Sequence, residues 1–130
     1  MRFYTALFFI FILLSASFSD TEKGSASYYS SSFNGRRTAS GEVFNNNLFT
    51  AAHKTLPLGT MVKVSNTKND STVILKVNDR LSKNSSHIID VTLAAAKKLN
   101  FVRNGIASVL VDVLTTNDKE TKEDERIKSN

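Results

Sequence analysis

Residues 61–77 read MVKVSNTKNDSTVILKV, and this stretch decides the kind of fold that the chain can form. Apolar and polar residues alternate in its first part, which places Val62 and Val64 on one face, as in a half-buried β-strand. Residues 66–70 (NTKND) favour a turn, because Asn and Asp tolerate left-handed backbone angles. Residues 71–77 (STVILKV) then resume strand character, so the stretch predicts a β-hairpin.

Short elements continue on both sides of this hairpin. Residues 25–30, 87–91 and 108–114 have the aromatic and β-branched composition of strands. Thr92 is the expected N-cap of a single helix over residues 93–99, with Asp90 serving the start of that helix and Asn100 ending it. Several short strands and one helix in a small domain predict a closed barrel, which leaves no exposed sheet edge.

The two ends of the chain differ in composition from this middle part. Residues 1–19 have the order of a secretory signal peptide: Arg2, then the apolar run 6–14 (ALFFIFILL), then small residues, with cleavage expected after Ser17 or Ser19. The apolar run is shorter than the roughly 20 residues that span a membrane. Residues 117–130 (NDKETKEDERIKSN) are almost entirely polar, so we expect a disordered tail. One domain is therefore expected over residues 20–116.

Composition narrows the compartment and the partners. The chain has no cysteine and a formal net charge of +5, so the domain must fold without disulfides and carries no lipid-modified cysteine. We expect a monomer that is periplasmic or secreted, without a stable membrane anchor once the signal is cleaved. A basic domain suits an anionic polymer such as the cell wall. Nucleic acid is not expected, because the basic residues are scattered and lack interleaved aromatics.

Three side chains are the candidates for chemistry: Glu42, His53 and Asp79. The sequence contains no Gly-rich phosphate loop and no pair of histidines at metal-ligand spacing. A set formed by His53, Asp79 and His87 matches no known ligand pattern, so neither a metal nor a cofactor is expected. The residue types alone leave structural roles open: Asp79 as the cap of a turn, Glu42 as a solvated loop residue, and His53 as a hydrogen-bonded histidine of the barrel.

A series of motifs in fixed order resembles the rare lipoprotein A family. The motifs are GSASYY (24–29), FNGRRTASGE (33–42), TAAHKTLPLGT (50–60), VKVSN (62–66), VNDR (77–80) and IIDVTLAAA (88–96). The resemblance covers residues 24 to about 114. It implies an all-β fold, a small six-stranded double-psi β-barrel with one short α-helix.

The same resemblance implies an activity and a set of site residues. Family members are endolytic lytic transglycosylases that cleave MurNAc–GlcNAc β-1,4 bonds of peptidoglycan and leave 1,6-anhydro-MurNAc ends; some prefer glycan strands without stem peptides. The catalytic positions carried over are Glu42, His53 and Asp79, with Asp79 as the acid. Because the C6 hydroxyl of the substrate attacks in place of water, one carboxyl group can act first as acid and then as base. The substrate-binding positions expected here are Tyr29, Phe33, Thr38, Asn78 and Arg80.

Two departures from the family pattern keep a second function open. Leu81 and Ser82 follow Arg80 where the family usually has Gly-Pro, and His87 replaces a usual arginine. The alternative is a non-catalytic, expansin-like module that binds cell-wall polysaccharide. A further alternative is a secreted interaction domain in which the barrel is only a scaffold.

Overall fold

The structure is a computed structural model that describes residues 21–115. Six strands and one helix form it, and a 3-10 turn covers Ser31–Phe33. The signal peptide and the charged tail expected from the sequence lie outside these residues. The elements are β1 (Thr21–Tyr28), β2 (Thr50–His53), β3 (Met61–Asn66), β4 (Thr72–Arg80), β5 (Ile89–Val91), α1 (Leu93–Lys98) and β6 (Ala107–Val113).

The strands close into a barrel in the order β1-β5-β2-β4-β3-β6, with β6 returning to β1. Two neighbouring pairs, β1 with β5 and β2 with β4, run parallel, and the other four pairs are antiparallel. The closed six-stranded barrel with a single short helix confirms the predicted fold class. The predicted hairpin is β3 and β4, and Asp70 in its turn has a positive φ of 59°.

The alternating pattern of the strands builds the core inside the barrel. Every second residue is buried in β3, and in β6 as far as Val111, while the residues between them are partly or fully exposed. Helix α1 and the residues after it close one end of the barrel with buried side chains. The largest fully buried side chains are Phe101, Leu75, Ile89, Leu99, Val62, Val64, Val77, Val91, Val109 and Val111.

The start of helix α1 is held differently from the expectation. Thr92 is the N-cap, as predicted, and its hydroxyl accepts a hydrogen bond from the backbone N–H of Ala95. The other contact at this end comes from Asn46, whose side-chain oxygen accepts from the N–H of Leu93 at 2.7 Å. Asp90 was expected here, but its carboxylate instead accepts a hydrogen bond from the hydroxyl of Ser27 on β1. A residue from a distant loop, Asn46, thus takes the place expected for Asp90 at the helix start. Sequence patterns within a few positions of the helix do not predict such a contact.

Two further elements differ from the sequence prediction. Strand β2 was not predicted, because its four residues (TAAH) lack β-branched and aromatic side chains except Thr50. All four are nevertheless buried, since β2 lies between β4 and β5 in the closed barrel. Strand β1 begins at Thr21, four residues before the predicted start, because its first half pairs with β6.

Candidate active site

A β-bulge at the end of β4 sets the direction of Asp79. Ala51 of β2 lies opposite Val77, but the next residue, Ala52, lies opposite Asp79, so Asn78 is the extra residue on β4. Bulges commonly re-aim a side chain beside a functional site. Here the bulge gives Asp79 the same outward direction as Ala52. Asn78 itself is buried, and its side-chain oxygen has no hydrogen-bond partner among residues 21–115.

The carboxylate of Asp79 is held by three donors. Its Oδ1 accepts hydrogen bonds from the backbone N–H groups of Ala39 and Arg80, each at 2.9 Å. Its Oδ2 accepts from the hydroxyl of Tyr29 at 2.6 Å. Hydrogen bonds to an ionised acceptor are among the stronger ones in proteins. The side chain is therefore fixed in one orientation at the surface of the barrel.

Tyr29 is placed to orient Asp79, and its buried ring is not exposed for contact with a sugar. The residue is 9% exposed, and its ring packs against Phe44 and Phe33, with ring centroids 4.4 and 5.5 Å away. Burial, then the hydrogen bond and the charge of Asp79, raise the pKa of the Tyr29 hydroxyl well above its ordinary value. The phenol thus keeps its proton over the whole neutral range and remains a donor to Asp79.

Glu42 reaches the same side of the barrel through the loop of residues 38–42. The backbone N–H of Thr38 donates to the carbonyl of Glu42, and Ser40 N–H donates to the carbonyl of Asn78, which fastens this loop to the end of β4. The carboxylate of Glu42 is exposed and lies 2.8 Å from the ammonium of Lys76 on β4. The hydrogen bond from Lys76 lowers the pKa of Glu42 below its ordinary value, and the hydroxyl of Ser40 adds to this effect.

His53 lies on the opposite face of β2 from Ala52 and Asp79. It is 3% exposed and pairs with Ile89 of β5, which faces the barrel interior. Its Nδ1 accepts from the backbone N–H groups of Thr55 and Leu56, at 3.1 and 3.0 Å. The ring proton of a neutral His53 is therefore on Nε2, which lies 2.9 Å from the carboxylate of Glu22. Both ring nitrogens therefore already have hydrogen-bond partners within the protein. The structure does not bring the His53 side chain together with those of Asp79 and Glu42.

Arg80 connects these two faces. Its guanidinium donates to the carbonyl of His53 at 2.9 Å and to the carbonyl of Leu56 at 2.5 Å. The histidine thus shapes the turn after β2, and the carbonyls of His53 and Leu56 hold the side chain of Arg80, whose backbone N–H donates to Asp79. The sequence gives no direct sign of these contacts, since Arg80 lies 27 and 24 positions from the two residues whose carbonyls it contacts.

The remaining predicted binding residues differ in how accessible they are. Phe33 is 40% exposed, and the guanidinium of Arg36 lies 5.3 Å from the centre of its ring. Thr38 is buried, with its hydroxyl 2.8 Å from that of Ser40. Among the five predicted binding residues, Phe33 is therefore the one with a broad open apolar surface. Leu81, the departure from Gly-Pro, packs against the cluster of Tyr29, Phe44 and Ala52 beneath Asp79.

The part of the chain that the structure describes offers no group of three or more His, Asp or Glu side chains arranged to hold a metal ion. Over the same residues, no helix is long and apolar enough to cross a membrane.

Comparison with known proteins identifies the family. Residues 21–111 match the model of a family described as lytic transglycolase. The chain belongs to this family. The match spans nearly the whole barrel and confirms the resemblance seen in the motifs.

Curated relatives of this family carry the name endolytic peptidoglycan transglycosylase RlpA. The protein of Neisseria meningitidis serogroup A is 51% identical over 92 residues, which are 71% of this chain and 38% of the relative. The protein of Vibrio cholerae is 44% identical over 110 residues, which are 85% of this chain and 41% of the relative. The chain thus spans about two fifths of the length of these relatives.

Solved structures with low sequence identity share the fold. A Streptomyces papain inhibitor superposes with a TM-score of 0.59 at 22% identity, covering 73% of this chain and 94% of the inhibitor. An expansin of Clavibacter michiganensis superposes with a TM-score of 0.60 at 19% identity, covering 74% of this chain and 51% of the expansin. At these identities the likeness concerns the barrel alone.

Proposed function

We propose that the protein is an endolytic peptidoglycan lytic transglycosylase. It cleaves the β-1,4 bond between MurNAc and GlcNAc and leaves a 1,6-anhydro-MurNAc end. Family membership and the names of the relatives support this reaction class. The observation on this chain that best supports the proposal is the position of Asp79. A bulge and three hydrogen bonds hold its carboxylate so that it faces outward.

The proposed chemistry runs through one oxygen of Asp79. Oδ1 is held by two backbone N–H groups, so the transferable proton resides on Oδ2, next to Tyr29. Asp79 gives this proton to the bridging oxygen as the bond from that oxygen to C1 of MurNAc breaks. The C6 hydroxyl oxygen of the same MurNAc then bonds to C1, and its proton returns to Oδ2. No water is consumed, and the acid is regenerated.

Tyr29 and Glu42 have separate parts in this proposal. The phenol of Tyr29 donates to Oδ2 whenever Asp79 is ionised, which stabilises the carboxylate that must accept the proton of the C6 hydroxyl. Glu42 is ionised at neutral pH, since its ordinary pKa is already acidic and the hydrogen bond from Lys76 lowers this pKa further, so it can contact a sugar hydroxyl or stabilise the positive charge that develops on the ring. His53 is a positioning residue that acts through the turn holding Arg80.

The proposed partner is the glycan strand of peptidoglycan, and the place of action is outside the cytoplasm. The expansin structure solved with cellohexaose, a chain of β-linked sugars, shows that a barrel of this fold can occur in a glycan-binding protein. Phe33 is the aromatic side chain best placed to lie against a sugar ring, because it is exposed close to Tyr29.

One observation favours a non-catalytic wall-binding module as the second candidate. Both oxygens of Asp79 already accept hydrogen bonds from the protein, so its carboxylate is satisfied in the absence of a glycan. An aspartate held this way also serves to fix the bulge and the loop of residues 38–42.

A digest of purified peptidoglycan separates the two functions. Intact and amidase-stripped material is incubated with the chain from residue 20 onward, and mass spectrometry detects 1,6-anhydro-MurNAc ends. Asp79→Asn is compared with Asp112→Asn, a change of an aspartate on β6 outside the site. Anhydro ends from the wild type and from Asp112→Asn, but not from Asp79→Asn, are expected. Wall binding without anhydro ends from any form would make the barrel a binding module.

A further inference from the structure

A groove lies at the end of the barrel opposite to Asp79. It has a volume of about 460 Å³ and is bounded by the turn of the β3–β4 hairpin, the residues after helix α1 and the start of β6. Strand β4 runs from Thr72, next to this turn, to Asp79 near its other end, and a strand rises about 3.3 Å per residue. Roughly 20 Å therefore separate the groove from the candidate acid, so the groove is not part of the candidate active site.

Hydrogen bonds within the protein hold the floor of this groove. The carbonyl of Leu99 accepts from the side-chain amides of Asn66 and Asn69, at 2.8 and 3.2 Å, and from the hydroxyl of Ser71 at 3.1 Å. The side-chain oxygen of Asn66 accepts from the N–H of Lys68, and that of Asn69 accepts from the N–H of Ser71. The hairpin turn is thus joined to the end of helix α1, and the groove is formed without a ligand, as in most binding sites.

Other polar side chains of the groove are free to contact a ligand. The amides of Asn100 and Asn104 and the ammonium of Lys68 line it and are exposed. None of these three side chains forms a hydrogen bond or an ion pair with another residue in 21–115. Ile106, which is 53% exposed, adds an apolar edge. Amides suit the hydroxyl and acetamido groups of a sugar, and an ammonium suits a carboxylate.

Positive charge continues beyond this groove. A neighbouring groove of about 280 Å³ shares Asn100 with the first and is also lined by Lys97 and Arg103. Neither cation forms an ion pair within the described part of the chain, and Asp70 is the acidic residue nearest to Lys68 in sequence. Lys97 also favours the end of helix α1, but Arg103 lies beyond the helix. Cations around two adjoining grooves suit a polymer with repeated negative charges.

We propose that the two grooves form a second glycan-binding site, which takes a wall glycan carrying carboxylates. The carboxylates pair with Lys68, Lys97 and Arg103, and the amides of Asn100 and Asn104 contact sugar hydroxyl or acetamido groups. The carboxylates belong either to the lactyl groups of MurNAc or to the stem peptides. The ligand class rests on the proposed function, but the site acts by binding alone. It holds the protein on the polymer at a distance from the bond that is cleaved.

The first test is an NMR titration of wild type with three ligands. These are sonicated amidase-stripped glycan, sonicated intact peptidoglycan, and chitohexaose, a β-1,4-linked glycan without carboxylates. The side-chain amide resonances of Asn100 and Asn104 are expected to shift with a carboxylate-bearing glycan and not with chitohexaose. A response to stripped glycan alone would assign the carboxylates to lactyl groups, and a response to intact material alone would assign them to stem peptides. No shift with either, or an equal shift with chitohexaose, would overturn the proposal.

Two double variants separate the grooves from net charge. Lys68→Gln with Arg103→Gln removes two cations of the grooves, and Lys23→Gln with Lys63→Gln removes two from strands β1 and β3, outside them. The groove variant is expected to bind roughly five- to tenfold more weakly, since each exposed ion pair contributes little on its own. The control variant is expected to bind close to wild type. An equal loss in both variants would show that net charge alone attracts the glycan and would reject the site.

Salt and turnover complete the test. Added salt is expected to weaken glycan binding by wild type more than binding by the groove variant, because screening acts on the charges. Anhydro ends in the peptidoglycan digest, without a response of the groove resonances, would reject the second site and leave the lyase reaction standing. A groove response without anhydro ends would reject the lyase reaction and leave the second site established.

Discussion

The hydroxyl of Tyr29 donates a 2.6 Å hydrogen bond to Oδ2 of Asp79, across 50 positions of sequence. The adjacent residue, Tyr28, uses its hydroxyl differently, donating to the carbonyl of Val102 at 2.9 Å. Two neighbouring tyrosines thus serve two sides of the barrel, one holding the candidate acid and the other holding the loop after helix α1. This difference provides a matched pair of variants for testing the site.

Tyr29→Phe is expected to reduce the rate of glycan cleavage, and Tyr28→Phe is expected to leave it close to that of wild type. The lost hydrogen bond to an ionised carboxylate is worth about 1.5–3 kcal/mol, which corresponds to roughly a 10- to 100-fold lower kcat if it acts in the transition state. Release of anhydro-MurNAc ends over time gives the rate. Equal rates for the two variants would show that Tyr29 does not assist Asp79.

The raised pKa of Tyr29 predicts a loss of stability at alkaline pH. Unfolding returns the hydroxyl to its ordinary pKa, near 10.0, so above this pH the unfolded chain releases a proton that the folded chain keeps. Stability is therefore fully present below about pH 10 and decreases as the pH rises towards the folded-state pKa. Urea unfolding at a series of pH values should show this decrease in wild type and in Tyr28→Phe. In Tyr29→Phe the decrease should be smaller, and an unchanged slope would contradict the assignment.

Lys76→Met is expected to raise the pKa of Glu42. The hydrogen bond and charge of Lys76 lower this pKa, so their removal returns the carboxyl towards its ordinary value. The pair is exposed, and added salt should therefore reduce the shift in wild type through screening. A ¹³C-detected titration of the Glu42 carboxyl measures both effects. Lys63→Met, on neighbouring strand β3, serves as the control and should leave the Glu42 titration unchanged.

His53→Ala is expected to destabilise the protein by about 1–3 kcal/mol, because it removes the acceptor of two part-buried hydrogen bonds. Their donors are the backbone N–H groups of Thr55 and Leu56. His53→Asn should recover part of the loss, since its side-chain oxygen can replace Nδ1 as the acceptor. Thermal unfolding measures the stability of each variant.

The pH profile of cleavage distinguishes positioning from proton transfer by His53. If His53 acts through the turn that holds Arg80, His53→Asn keeps the shape of the wild-type pH profile with a lower kcat. Loss of one limb of the profile in His53→Asn would instead assign a proton-transfer step to the histidine.

Local patterns explain why much of the barrel could be predicted. The alternation in β3, the turn before β4 and the N-cap Thr92 each depend on residues within a few positions of one another. Strand β2 was missed because its burial comes from β4 and β5 on either side, not from its own composition. Asn46 at the helix start was missed for the same reason, since it contacts Leu93 from a distant loop.

The sequence by itself determined the barrel class, the family and a carboxylate at the end of an apolar strand, because these depend on periodicity and on motifs that are contiguous in the chain. Only the tertiary structure decided which side chains meet. The bulge at Asn78 turned Asp79 towards Tyr29 and Ala39, and the pairing of β2 with β5 placed His53 on the inner face and Asp90 on the outer one. Strand register is the physical reason, since a shift of one residue moves a side chain to the opposite face of the sheet.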